Sequence, residues 1–458
     1  MKASRILLFI FAVIALLAVL CSFFPREGVR VGSTTLEFPA LSDILNEEPE
    51  DPGESPEELL EKRMEAIREA QKNDYLAYFR NDPARFYFPG DSIELFDRFF
   101  ASLDRADSRQ VRIMHYGDSQ LEEDRITMTI RNFLQERFGG GGGGLLPVAG
   151  SYFNKSYSVA ASYDVPYRLV YAQTQEMRAG HNRYGPLGRV GLLSGPVTVT
   201  VSPLGSNKNP SRYYNRMTVL VGNRYSDATV TYKGQTKTVK ASENVSRFTF
   251  ELPDSTSKAS VRISGAEEIY GVSVDNATGV TMDNIAMRGC SGAIFTAISS
   301  NQLREYFNKS NVKLIILQYG GNMVPFTKTD KAIESYKATL KKQIAYLRKL
   351  SPDASILFIG PSDMSTNIGG KMQTYPHLEK IVTAIKEAAL ESGAAYWDMY
   401  GAMGGNGSMA KWVHSSPALA GSDYVHFTTQ GSQRMGEIFC ESLMLYYDYY
   451  KWRKDNGR

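Results

Sequence analysis

The chain has 458 residues, 43% of them hydrophobic and 22% charged, a length that exceeds one ordinary core and predicts two or three domains. With 52 basic and 49 acidic side chains its net charge is +3. No Lys/Arg block stands out, which argues against nucleic acid as the main partner.

The first elements in chain order are exceptional. Lys2 and Arg5 precede the uncharged run Ile6 to Phe24, and at about 1.5 Å rise per residue such a run is just long enough to cross a bilayer as a helix. Basic residues before it favour export of everything after it. The run ends in Cys-Ser-Phe-Phe-Pro, with no Ala-x-Ala site, so an uncleaved membrane anchor over 1–26 is favoured over a removed signal peptide. Asp43 to Glu61 is acidic and holds three prolines. It reads as a solvated spacer within a linker-and-helix segment, 27–85. Helical periodicity runs from about Pro56 to Phe79, and Ser92 to Leu103 reads as a further short helix.

From Val111 strands and helices alternate. "VRIMHYG" is a buried-strand run, and Ile126, Ile130, Phe133, Leu134 and Phe138 recur at helical spacing. The six glycines 139–144 read as a helix stop and a mobile loop, and no Gly-Lys-Ser/Thr follows to make a phosphate site. From Pro147 to Gly279 the helical period vanishes. Short β-branched runs such as "PVTVTVSPL", "MTVLVGN" and "RFTFELP" predict an inserted β-sandwich or jelly roll over 147–279. Its tyrosines, among them Tyr213, Tyr214, Tyr225, Tyr232 and Tyr270, are expected to be mostly structural.

Alternation resumes at Val280 with "TMDNIAM", "VKLIILQYG", "SILFIG" and "AAYWDMY", each followed by helical sequence, and a last helix from about Thr429 to Tyr450. This predicts an α/β fold, a parallel sheet in three layers, built from 86–146 and 280–458. In such sheets ligands bind at the carboxyl ends of the strands. Cys290 and Cys440 are far apart in sequence and are expected as buried free thiols.

Ser119 lies where strand "VRIMHYG" ends. Glu122, three residues on, fits a capping box as well as a nucleophile turn. Asp423 and His426, three apart just before the last helix, form a carboxylate–imidazole pair able to act as an oriented base. His115 lies inside a strand, His181 and His377 lie in loops without a carboxylate at useful spacing, and His414 has no evident partner. Gly292 in "RGCSGAIF" and Asn322 in "QYGGNMV" follow two further strands and offer a backbone N–H and a side-chain amide for an oxyanion.

"GDSQ" (Gly117 to Gln120), Gly292, "GGN" (Gly320 to Asn322) and "DYVH" (Asp423 to His426) resemble, in order, the four blocks of the SGNH/GDSL hydrolases. The resemblance covers Val111 to about Phe138 and Val280 to about Tyr447. It implies a flavodoxin-like hydrolase domain with Ser119 as nucleophile, His426 as base and Asp423 as its orienter. Ser119, Gly292 and Asn322 would form the oxyanion hole, with neither cofactor nor metal. Gln120 stands where the family has leucine, and Met323 where an acidic residue often follows the asparagine. The large insertion resembles that of bacterial peptidoglycan O-acetylesterases. The expectation is thus a membrane-anchored envelope esterase acting on an O-acylated glycan, with acetyl as the expected acyl group. The alternatives are an idle glycan-binding or assembly scaffold, an O-acyltransferase and a lipid esterase.

Overall fold

The computed structural model describes residues 29–31, 34–36, 58, 62, 65, 75–148, 150, 154–204 and 209–457. The apolar run Ile6–Phe24 and most of the acidic spacer lie outside these residues. Among the described residues no helix is long and apolar enough to cross a membrane. The chain divides into two units, 1–55 and Pro56–Arg458. In the first, Val29–Val31 pairs antiparallel with Thr34–Leu36.

The second unit is organised around a six-stranded sheet. Its strands are β1 (Phe86–Tyr87), β2 (Gln110–Gly117), β3 (Gly279–Ala286), β4 (Val312–Gln318), β5 (Ser355–Ile359) and β6 (Ala395–Trp397), in the spatial order β3-β2-β4-β5-β6-β1. The strands from β2 to β6 run parallel. The edge strand β1 is antiparallel to β6, so the sheet is mixed where the sequence predicted a purely parallel one. A strand of two residues carries no periodicity from which it could be read.

Burial on both faces explains why these strands are nearly continuous apolar runs. Ile113, Leu314, Ile316, Leu357 and Ile359 pack with the helices α1 (Asp97–Leu103), α2 (Arg125–Phe138) and α6 (Thr429–Asp455). Their sequence neighbours Met114, Ile315, Leu317, Ile356 and Phe358 point the other way, into α3 (Ser300–Lys309), α4 (Asp330–Leu350) and α5 (Leu378–Glu391). The strand period of two thereby makes three layers. Cys290 and Cys440 are free and buried.

Between α2 and β3 lie two antiparallel sheets, of six and five strands. Their facing side chains, including Val199, Val219, Phe248, Val261 and Val272, form one core. This is a β-sandwich. Tyr214, Tyr232 and Tyr270 are buried in this region, whereas Tyr213 and Tyr225 are exposed.

The glycine run is not the mobile loop expected. Residues 141–144 are buried, and they carry the chain from α2 into the sandwich against strands that leave no room for a side chain. At Gly142 (φ +75°) a Cβ would stand 2.1 Å from Val274 O, and at Gly144 (φ +74°) 2.2 Å from Asp283 Oδ1. Close backbone approach, not flexibility, demands glycine here.

A buried charge cluster joins the sandwich to the sheet. Arg112 on β2, fully buried, donates to Asp283 Oδ1 on β3 at 2.6 Å, to Asp275 of the sandwich and to Ser273 Oγ at 3.2 Å. Asp283 Oδ1 also accepts from Leu145 N at 2.7 Å. Burial alone would raise the Asp275 carboxyl, but Arg112 and Arg216 hold it below the usual carboxylate range. Truncating the cation would leave the buried Asp283 carboxylate uncompensated and Asp275 with Arg216 as its one cation. Arg112→Ala is therefore expected to lose about 3–5 kcal/mol in urea unfolding; a loss under about 1 kcal/mol would contradict this role for the cluster.

Candidate active site

Four loops meet at the carboxyl edge of the sheet. Gly117 ends β2, and Asp118 turns the chain by accepting the Gln120 N–H at 3.0 Å. Ser119–Leu121 is a single 3-10 turn, and α2 begins only at Arg125. Ser119 therefore caps no α-helix, and the capping-box reading of Ser119 and Glu122 falls. The Ser119 hydroxyl instead lies 2.8 Å from His426 Nε2.

His426 sits just before α6, whose first turn is capped by Thr428 Oγ1 accepting from Gly431 N at 3.1 Å. Its Nδ1 lies 2.7 Å from Asp423 Oδ2. The other oxygen, Oδ1, accepts the backbone N–H groups of Val425 and His426, each at 3.0 Å. Partial burial would raise the Asp423 carboxyl, but the His426 side chain and these two N–H groups hold it below its ordinary value. A hydroxyl, an imidazole and an ionised carboxylate thus stand in one hydrogen-bonded line, able to pass the hydroxyl proton to the ring.

Three of the other histidines are engaged elsewhere. His115 is buried between Gln318 Oε1 and Thr127 Oγ1, each at 3.0 Å, and burial pushes its pKa down to about 3. His181 does have a carboxylate, contrary to expectation: Glu268 at 2.8 Å, which sequence separation hid. His414 meets the Tyr424 hydroxyl at 3.1 Å.

Asn322 follows β4 in a short turn, and its amide donates to Asp118 Oδ2 and to Cys290 O, both at 3.2 Å. Gly292 (φ +85°) lies against Tyr319, where a Cβ would come within 2.9 Å of the ring. Its N–H reaches Cys290 Sγ at 3.4 Å, a weak acceptor that a charged oxygen would displace. A cavity of about 210 Å³ is lined by Ser119, Asn322, Phe326, Met364, Tyr375 and His426, among others. Met364 and Tyr375 flank a hairpin, Ser365–Ile368 paired with Lys371–Thr374, that the sequence reading did not anticipate. Among the described residues no cluster of His, Cys, Asp and Glu could hold a metal ion.

Asp118 is the electrostatic feature that sequence reasoning missed. Burial pushes its carboxyl up to about 6, against the lowering pull of the Gln120 N–H, His426 and Asn322. The folded chain thus binds this proton more tightly than an ordinary aspartate at 3.8. The stability linked to it is full below about pH 4 and is lost as pH rises through about 6. Asp118→Asn cannot titrate. Relative to the parent, it should therefore gain up to about 3 kcal/mol of unfolding free energy between pH 4 and pH 7. Parallel pH profiles of the two proteins would contradict the assignment.

Residues 266–434 match the model of the GDSL-like lipase/acylhydrolase family. The match begins beyond Ser119, which precedes the sandwich in the sequence. No curated protein matches the chain. Among solved structures, a peptidoglycan O-acetylesterase superposes with a TM-score of 0.65 at 19% identity, over 80% of this chain and 99% of that one. A family two carbohydrate esterase from Cellvibrio japonicus reaches 0.26 at 11% identity, over 64% and 99%, too low to carry an argument. Over residues 266–434 the chain is thus similar to the GDSL-like lipase/acylhydrolase family, on a fold that it shares with the first of these structures.

Proposed function

We propose that the protein is an exported, membrane-anchored esterase that removes O-acetyl groups from a glycan of the bacterial cell envelope, such as peptidoglycan. The observation that carries the chemistry is the line Ser119–His426–Asp423, with its separations of 2.8 and 2.7 Å. Ser119 Oγ bonds to the ester carbonyl carbon while its proton passes to His426 Nε2. The resulting oxyanion draws the Asn322 amide and the Gly292 N–H from their longer contacts and also meets the Ser119 N–H. The sugar oxygen then leaves with the proton from His426, and water, activated by the same ring, releases acetate from Ser119.

Three observations support the substrate class. The cavity of about 210 Å³ is smaller than the usual 300–1,000 Å³ of ligand pockets, which suits a short acyl group better than a fatty chain. At its rim Phe326 is 78% exposed, a bare aromatic face of the kind that a pyranose ring covers. A solved structure that shares the fold over most of this chain is a peptidoglycan O-acetylesterase. The uncharged run Ile6–Phe24 supports export and anchoring.

The test is acetate release from O-acetylated peptidoglycan and from p-nitrophenyl acetate by the protein lacking its first 26 residues. Ser119→Ala should abolish both. Asn322→Ala should lower kcat by about 10²–10³ with KM nearly unchanged. Serine-dependent release from the small ester alone would remove the glycan from the proposal. Equal release by Ser119→Ala would overturn the chemistry.

A further inference from the structure

Asp423 and His426 belong to one loop, so their bond orients the imidazole only relative to its own segment. The distance that matters for proton transfer runs from His426 to Ser119, 307 residues away along the chain. Something must hold the two segments in register. The His426 side chain is 36% exposed, and burial alone does not do it.

Gln120, the residue beside Ser119, spans this gap. Its side chain is buried, and its Nε2 donates to Val425 O at 2.7 Å and to Ser362 Oγ at 3.4 Å. Its Oε1 accepts the Phe427 N–H at 3.3 Å. The two backbone partners are the residues on either side of His426, so one planar amide grips the peptide groups that carry the imidazole. Arg125 adds to the same lacing, donating to Ser119 O and to Phe427 O, each at 3.1 Å. The leucine that the SGNH/GDSL pattern has at this position could offer neither a donor nor an acceptor.

We propose that Gln120 is a positioning residue: it sets the approach of His426 Nε2 to Ser119 Oγ by clamping both neighbours of the histidine. This rests on the esterase reading above. It predicts a loss confined to the proton-transfer step, since a displacement of about 1 Å costs up to about 10²-fold in rate. The Asp423–His426 bond, internal to the loop, is left alone.

The test compares parent, Gln120→Leu, Gln120→Glu and Ser119→Ala. Gln120→Leu should lower kcat on p-nitrophenyl acetate, and the rate at which an alkyl fluorophosphonate labels Ser119, by the same factor of about 10 to 100. KM should stay within a few-fold. The low-field proton resonance of the His426 Nδ1–H···Asp423 bond should persist, which a general collapse of the site would abolish. Gln120→Glu, which retains the acceptor for Phe427 N–H but opposes Val425 O with a second acceptor, should not restore the rate. Parental kcat and labelling in Gln120→Leu, with Ser119→Ala inactive, would overturn the clamp and leave the esterase standing. Loss of the Nδ1–H resonance together with activity would overturn it in favour of a merely structural role. Activity that survives Ser119→Ala would overturn both.

Discussion

A guanidinium withdrawn from water underlies this architecture. Arg112 sits on the second strand of the sheet, and its neighbours include one aspartate of the sheet, Asp283, and one of the sandwich, Asp275. Burying three charges is costly in itself and is sustained only where every member finds a partner. The cluster therefore specifies how the sandwich is seated more than it adds stability. Asp283 also takes the Leu145 N–H, and the glycines before Leu145 allow the backbone to pass within contact distance of β3 and of the sandwich strand that holds Asp275. A long insertion between the first two motif blocks is thus compatible with a site whose strands must stay in register.

At the other end of the same strands, environment sets two carboxyl groups to different tasks. Asp118, almost fully buried, is pushed up by desolvation to about 6. Asp423, half exposed and receiving two backbone N–H bonds besides His426, is held low. The second is the one suited to support a cationic imidazole in mid-reaction. The first faces Asn322 and fixes the direction of that amide. Opposite shifts in neighbouring carboxyl groups are a mark of sites where protons move.

Much of this was legible in the chain because the responsible forces are local and periodic. The run Val312–Gln318 is strand because it is buried on both faces, and His115 is core because it lies within such a run. What was not legible depends on contacts between distant segments or on elements too short to show a period. Phe86–Tyr87 is two residues long. The hairpin Ser365–Thr374 is polar and exposed along most of its length, so it has no apolar alternation to betray it. The glycines 139–144 have the composition of a loop, and only the strands packed on 141–144 reveal the burial of those four. The three-residue spacing of Ser119 and Glu122 imitates a cap, yet the helix waits until Arg125. Gln120 departs from a family pattern in sequence. Its purpose emerges only when Val425 and Phe427, some 300 residues away, are seen beside it.

The central claim is that Ser119 becomes covalently acylated in the course of turnover. The most direct measurement is rapid acid quench of the protein during hydrolysis of O-acetylated peptidoglycan, followed by mass spectrometry of the peptide that contains Ser119. The account predicts an acetyl group on Ser119 that appears within the first turnover, decays as substrate is exhausted and accumulates when deacylation is slowed. Turnover with no acyl group on Ser119, or with the group on another residue, would contradict it.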